Sequence, residues 1–144
     1  MEPIRAIFVD SGAWIALAKR NDHTHLLARR YYEALYARGT GFITSNYVVD
    51  ETVTRLRYDV GLEAARDFRN RLIALTGIGR ARIVWIDEGM EAEGWRIMEQ
   101  YAGVPLSLTD ATSAVVARAV HSTRIFGFDA HFGALGFIVE PPLP

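Results

Sequence analysis

Short apolar runs recur along the chain, and most of them end at a polar or acidic residue. Runs of about four to eight apolar and β-branched residues, bounded by turn-forming residues, are typical of strands buried inside a sheet. Strands are predicted over residues 4–9, 41–44, 82–86 and 124–128, with a shorter fifth strand over residues 137–139.

Between these runs, apolar residues recur every three or four positions, which is the spacing of the buried face of a helix. Helices are therefore predicted over residues 13–20, 25–38, 46–60, 62–75, 88–103 and 110–120. Gly39 is expected to end the second helix. Side chains that can accept a hydrogen bond from a first helical turn are expected to cap the later helices, namely Ser45 or Asn46, Asp87 and Thr109.

The alternation of strands and helices predicts an α/β fold with a mostly parallel sheet of about five strands, covered by helices on both faces in three layers. The chain has 144 residues and shows no internal repeat, low-complexity tract or long linker, so one domain over residues 1–144 is expected. In sheets of this kind, ligands bind beyond the carboxyl ends of the strands.

Four acidic residues from distant parts of the chain occupy that kind of position. Asp10 and Asp129 follow apolar strands directly, Asp110 stands at a helix start, and Glu51 lies in the first turns of the helix after the second strand. Each acid alone is explained equally well as a helix N-terminal residue or a turn residue. Their convergence on one edge favours a cation site, because gathered carboxylates repel one another without a cation.

Periodicity leaves the choice between Glu51 and its neighbour Asp50 open. The apolar face of this helix is predicted to comprise Val49, Val53, Leu56 and Val60, which places Glu51 on nearly the opposite side and Asp50 closer to the core. Asp87 and Glu88 also follow a strand, and they are interpreted as a helix start with lower expectation of metal contact.

Carboxylate oxygens are the ligands that Mg²⁺ and Mn²⁺ prefer. Such a cation can polarise a scissile phosphate and lower the pKa of a bound water, and a carboxylate that does not bind the metal can accept a proton from that water. The acids therefore indicate phosphoryl or phosphodiester chemistry.

Composition narrows the function classes. The chain has no cysteine, which excludes disulfides and thiolate chemistry, and its net charge of -1 argues against coating nucleic acid by bulk electrostatics. The seven basic residues between positions 55 and 82 are all arginines, so a local arginine surface for a phosphate backbone is an alternative to an ordinary solvated helix face. No apolar segment approaches a membrane span, and a cytoplasmic protein is expected.

The chain resembles the PIN-domain family, in particular the VapC-type toxins of prokaryotic toxin–antitoxin pairs. The resemblance rests on four segments in the family's order, at residues 7–17, 44–52, 106–111 and 126–132. It implies a three-layer α/β/α fold and Mg²⁺- or Mn²⁺-dependent RNA cleavage. It also implies that Asp10, Glu51, Asp110 and Asp129 match the family's acidic quartet, which selects Glu51 over Asp50.

The resemblance further implies supporting roles for Ser11 and Thr109, a homodimer, and an antitoxin as protein partner. Alternatives remain: a PIN-domain nuclease of RNA processing without an antitoxin, or a PIN-like scaffold that binds RNA or protein without cutting. A phosphatase of the haloacid dehalogenase type is disfavoured, because Asp10-Ser11-Gly12 lacks the second acid and Lys19 is the only lysine.

Overall fold

The centre of the computed structural model, which describes residues 5–144, is a sheet of five parallel strands in the order β3-β2-β1-β4-β5. The strands are β1 (Ala6–Val9), β2 (Gly41–Ser45), β3 (Ala81–Val84), β4 (Arg124–Phe126) and β5 (Ile138–Glu140). The predicted α/β class with a parallel sheet is confirmed. Ile4, the predicted first residue of β1, lies outside the described residues.

Helices connect the strands. They are α1 (Ser11–Ala18), α2 (His25–Ala37), α3 (Asn46–Asp59), α4 (Leu62–Gly77), α5 (Glu88–Gln100), α6 (Leu108–Ala119) and the short α7 (His131–Ala134). The predicted three layers are confirmed: α6 packs on β1 and β2 and is covered by α5, whereas α1 packs against α2, α3 and α4. A Cβ atom added to Gly94 of α5 would lie 2.9 Å from the Thr112 side chain, so glycine permits the close packing of α5 on α6.

The core is built around β1, which is the middle strand of the five, lies between β2 and β4 and contacts α6. Ile7, Phe8 and Val9 are completely buried, and Phe8 lies in register with Ile43 of β2 and Ile125 of β4. Burying an apolar side chain of this size contributes roughly 1.5–3 kcal/mol to folding. The central strand is therefore a rigid base for the residue that follows it.

Two predicted element ends are wrong for identifiable reasons. β3 ends at Val84 rather than at residue 86, because the backbone N–H of Ile86 donates to Oδ1 of Asn46 (2.7 Å) and the Trp85 side chain is 73% exposed. The cap of α6 is Ser107 rather than Thr109: its hydroxyl accepts from the N–H of Asp110, and the Asp110 carboxylate accepts from the N–H of Ser107.

Smaller differences concern lengths. α1 begins at Ser11, two residues earlier than predicted, β4 ends at Phe126, and α7 was not predicted. The caps at Ser45 and Asp87 are confirmed, since each side chain accepts a hydrogen bond from the first turn of its helix. Within residues 5–144, no helix is both long enough and apolar enough to cross a membrane.

Candidate active site

The carboxyl ends of β1 and β4 form the point at which the strand order changes direction. The chain proceeds from β1 to β2 and β3 on one side, and then places β4 and β5 on the other. Crevices at such a point are where open α/β sheets bind ligands. Asp10 lies there: it follows β1 directly, and its backbone N–H donates to the carbonyl of Phe126 at the end of β4 (2.9 Å).

The Asp10 side chain is buried without a role in folding that would explain it. It is 4% exposed, it makes no capping hydrogen bond to α1, and its Oδ1 atom has no hydrogen-bond partner among the described residues. The pKa of Asp10 is raised to about 7, chiefly by burial and also by the charges of Asp110, Glu51 and Asp129, against a lowering by the backbone N–H of Ser11. A buried, unpartnered carboxylate is costly unless a proton or a cation compensates it.

Glu51 faces this site, because the side of α3 that is buried is not the side that the apolar spacing predicts. That side comprises Val48, Thr52 and Leu56, and the Thr52 hydroxyl satisfies itself by donating to the carbonyl of Val48 (2.7 Å). Of the predicted apolar face only Leu56 is buried; Val49 and Val53 are partly buried, and Val60 is exposed. The predicted orientation of Glu51 away from the core is therefore wrong.

Glu51 is fixed by a direct contact with the first residue of α1. The Ser11 hydroxyl donates to Oε1 of Glu51 (2.5 Å), which joins the helix after β1 to the helix after β2. Asp50, in contrast, is exposed and is not among the charges that shift the pKa of Asp10 or Asp110. The structure thus brings Glu51 rather than Asp50 to the carboxyl edge.

The remaining two acids approach from α6 and from the segment after β4. Burial raises the pKa of Asp110, and the charges of Asp129 and Glu51 add to this effect, while hydrogen bonds from Ser107 act against it. Oδ1 of Asp129 accepts from the N–H of His131 (2.9 Å) and lies 3.1 Å from Nδ1 of the same residue. The charges of Glu51 and Asp129 thus reach both Asp10 and Asp110, which places the four predicted acids near one another.

The other candidate residues of the sequence analysis differ in their contacts. Ser11 contacts Glu51, whereas the carbonyl of Thr109 accepts from the hydroxyls of Thr112 and Ser113 within α6. Asp87 is an exposed helix cap, and Glu88 is exposed in the first turn of α5.

Sequence reasoning missed Gly127, which lies against Asp10. A Cβ atom at position 127 would be 3.1 Å from Cβ and 3.6 Å from Oδ2 of Asp10. A glycine at the end of a predicted strand is a known sign of close approach, so the signal was present in the sequence. Gly127 leaves the space that the Asp10 side chain occupies.

The four acids suit a hard divalent cation by chemistry and by the unpartnered oxygen of Asp10. Across residues 5–144, however, no three carboxylate or imidazole groups already surround one point as metal ligands. Local hydrogen bonds hold three of the acids: Ser11 holds Glu51, Ser107 holds Asp110, and the backbone of His131 holds Asp129. The buried, unpartnered oxygen makes Asp10 the acid best suited to hold Mg²⁺ or Mn²⁺.

A cavity of about 1000 Å³ lies elsewhere, between α1, α2 and α4. Trp14, Leu17, Phe68 and Leu72 line it, and Lys19 and Arg71 are among its polar residues. None of the four acids lines this cavity. The cavity is therefore separate from the carboxylate site.

Comparison with known proteins identifies the family of the chain. The family model of the PIN domain matches residues 7–138. The chain belongs to the PIN-domain family. This PIN-domain chain is 32% identical over 136 residues to the 23S rRNA-specific endonuclease VapC20 from two strains of Mycobacterium tuberculosis, covering 94% of this chain and 98% of the relative.

Solved structures give the same result. The crystal structure of M. tuberculosis VapC20, described as a Sarcin-Ricin loop cleaving toxin, matches with a TM-score of 0.80 at 28% identity, over 92% of this chain and 96% of that one. VapBC2 from Rickettsia felis, bound to a DNA fragment from its promoter, matches with a TM-score of 0.67 at 16% identity, over 94% and 97% of the two chains. The latter similarity concerns the fold alone. The predicted resemblance to VapC-type PIN domains is confirmed.

Proposed function

We propose that this PIN-domain protein is an endoribonuclease that hydrolyses RNA phosphodiester bonds with Mg²⁺ or Mn²⁺ at Asp10, Glu51, Asp110 and Asp129. The observation that carries the proposal is the Asp10 carboxylate, which is buried at the strand-order reversal with one oxygen unpartnered and three further acids nearby. A helix cap would not need this burial, whereas a cation-binding site would.

We assign two roles to the four acids. Asp10 and Asp110, whose pKa values are raised by burial, would be the ligands for the cation, which when bound would polarise the scissile phosphate and lower the pKa of a bound water. The side chains of Glu51 and Asp129 are 31% and 34% exposed, so they can meet an attacking water and accept its proton. Ser11 orients Glu51 for that task, and Gly127 leaves room for Asp10.

The substrate and biological role are proposed from the relatives. VapC20 is named as a 23S rRNA-specific endonuclease and as a toxin that cleaves the Sarcin-Ricin loop. We extend both properties to this chain: a structured ribosomal RNA loop is the candidate substrate, and the chain is the toxin of a cytoplasmic toxin–antitoxin pair. The same proposal includes two protein partners, a cognate antitoxin and a second copy of the chain in a homodimer. It also includes a single domain over residues 1–144.

Two other roles make different predictions. A PIN nuclease of RNA processing would cleave RNA without an antitoxin, which the absence of a small antitoxin reading frame beside the gene would favour. A non-cleaving scaffold is disfavoured by the retention of all four acids at one edge of the sheet.

The proposal is tested by incubating the purified protein with end-labelled RNA that carries the Sarcin-Ricin loop sequence, and with a DNA strand of the same sequence. We expect cleavage of the RNA with Mg²⁺ or Mn²⁺, none with EDTA, and none by the Asp10→Asn and Asp110→Asn variants. Cleavage that survives EDTA and both substitutions would contradict the proposed site. Cleavage of other RNAs but not of this loop would contradict only the proposed substrate.

A further inference from the structure

The arginines of residues 55–82 have different environments in the folded chain. Arg80 is structural: its guanidinium donates to the carbonyls of Tyr36 (2.8 Å) and Thr40 (3.3 Å) and stacks on the Tyr36 ring. Arg55 has a different position, since it follows Glu51 by one turn of α3 and so lies beside the carboxylates. One of the seven arginines of this segment, Arg55, therefore lies beside the candidate active site.

Arg55 is near Glu51 but is not occupied by it. Nη1 of Arg55 lies 3.9 Å from Oε1 of Glu51, beyond hydrogen-bond distance, and that oxygen already accepts the hydroxyl of Ser11. The Arg55 side chain is 51% exposed. In the part of the chain that the structure describes, Arg55 is the one arginine or lysine within 4.0 Å of any of the four acids.

An RNA strand that reaches the four carboxylates meets repulsion between its phosphates and these acids. A cation bound by the acids compensates at the scissile phosphate, but the neighbouring phosphates lie outside its immediate reach. A guanidinium with free donors binds a phosphate bidentately, and one at the rim of the site adds attraction at that point. Arg55 has the required charge, exposure and position.

We propose that Arg55 is a substrate-positioning residue that binds an RNA phosphate next to the scissile one. This inference rests on the proposed endoribonuclease function and adds to it a residue outside the acidic set. The alternative is a simple i,i+4 ion pair with Glu51 that stabilises α3, an interaction that would change thermal stability slightly and RNA binding not at all.

The experiment compares Arg55→Ala with Arg57→Ala, a matched control on the same helix. Arg57 is also exposed, makes no ion pair within residues 5–144, and is two positions away, so it projects from another side of α3. KM and kcat are measured for the labelled loop RNA with Mg²⁺. The affinity for the same RNA is measured at several salt concentrations in the Asp110→Asn background, which is expected to bind without cutting.

For Arg55→Ala we expect KM to rise about 5- to 10-fold with kcat changed less than about 2-fold, because the lost contact is present before and during the reaction. The slope of log affinity against log salt should fall in magnitude by about 0.7, the value of one phosphate contact to a single strand. Arg55→Lys should restore part of the affinity, since charge is kept and the bidentate geometry is lost. Arg57→Ala should behave as the wild type in each measurement.

Equal effects of Arg55→Ala and Arg57→Ala, or an unchanged salt slope, would overturn this inference while wild-type cleavage leaves the proposed function intact. A loss of thermal stability without a change in KM would assign Arg55 to the helix alone. If the wild-type protein cleaves no RNA, the proposed function fails by its own test and this inference falls with it.

Discussion

Asp10 and Asp87 occupy equivalent places in the chain and differ in almost every physical property. Asp10 follows β1 directly and Asp87 follows β3 after two intervening residues, and each has an extended backbone and stands at the N-cap position of the next helix. The Asp87 side chain is exposed and accepts a hydrogen bond from the N–H of Met90 (2.9 Å). The Asp10 side chain is buried, makes no cap hydrogen bond and leaves Oδ1 unpartnered.

The difference follows from the place of each strand in the sheet. β3 is an edge strand, so the residue after it has solvent on one side and can serve its own helix. β1 is the central strand, and the reversal of strand order beside it brings the start of α3, the start of α6 and the segment after β4 around Asp10. Position in the sheet therefore separates an exposed acid that caps a helix from a buried acid that lies near three others.

The largest expected effect is a difference in cleavage rate between two equivalent substitutions. Asp10→Asn should reduce metal-dependent RNA cleavage at least about 100-fold, because it removes the buried negative charge from the reacting centre. Asp87→Asn should leave the rate within about 2-fold of wild type, since asparagine caps a helix as well as aspartate does. Comparable losses in both variants would remove the distinction between the two acids.

The second prediction concerns the pH dependence of stability without metal. The pKa of Asp10 is raised to about 7 in the folded chain by burial and by the neighbouring acids. The folded state therefore binds more protons than the unfolded state between pH 4 and 7, and the free energy of unfolding falls as pH rises through this range. In EDTA we expect a fall of roughly 2 to 4 kcal/mol attributable to this group, measured by urea unfolding at pH 5 and pH 8.

Two variants isolate that contribution. Asp10→Asn should show a much smaller fall between the two pH values, and Asp87→Asn should retain the wild-type fall. A pH dependence that is identical in the wild type and in Asp10→Asn would mean that Asp10 is not the protonated group. Added Mg²⁺ should reduce the fall in the wild type, because it stabilises the ionised carboxylates.

The third prediction uses the space beside Asp10. Gly127→Ala places a methyl group 3.1 Å from Cβ of Asp10, so the carboxylate must shift by a few tenths of an ångström. We expect about a 10-fold loss of cleavage rate with little change in stability, because catalysis is sensitive to small displacements. Gly133→Ala is the control, since nothing lies within 4 Å of its added Cβ. Unchanged cleavage by Gly127→Ala would show that the position of Asp10 tolerates displacement.

The smallest effect is expected for a substitution of Asp87, the acid that caps α5. Asp87→Ala removes the hydrogen bond to Met90 and should lower the free energy of unfolding by about 1 kcal/mol without altering the cleavage rate. Urea unfolding measures the first quantity and the RNA assay the second. A loss of activity in a folded Asp87→Ala protein would extend the site to the edge of the sheet.

The strands and the acids that follow them can be predicted from the sequence, because an apolar run that ends in an acid is a local pattern. Asp10 and Asp129 were located in this way, and the parallel sheet followed from the alternation of strands and helices. Local patterns did not distinguish Asp10 from Asp87, since the order of strands in a sheet depends on contacts between distant segments.

Two predictions about helices are wrong: the side of α3 on which Glu51 lies and the cap of α6. Periodicity predicts the wrong side of α3 for Glu51, because Val49 and Val53 are more apolar than Thr52. Thr52 can nevertheless be buried, since its hydroxyl donates a hydrogen bond within the helix. The prediction of Thr109 as the α6 cap overlooks a local signal, since Ser107-Leu108-Thr109-Asp110 has the Ser-x-x-acid spacing of a capping box and these two residues exchange hydrogen bonds in the structure. The resemblance to PIN domains, rather than periodicity, predicts Glu51 over Asp50, and the structure places Glu51 in contact with Ser11 while Asp50 is exposed.

The central claim is that the buried Asp10 carboxylate is a metal ligand, and Mn²⁺ binding measured by isothermal titration calorimetry tests it most directly. The wild type, Asp10→Asn and Asp87→Asn are compared at pH 7.5, with circular dichroism to verify that each is folded. The account predicts Mn²⁺ binding by the wild type and Asp87→Asn, and at least about 10-fold weaker binding by Asp10→Asn. Equal Mn²⁺ affinity in Asp10→Asn and the wild type would contradict it.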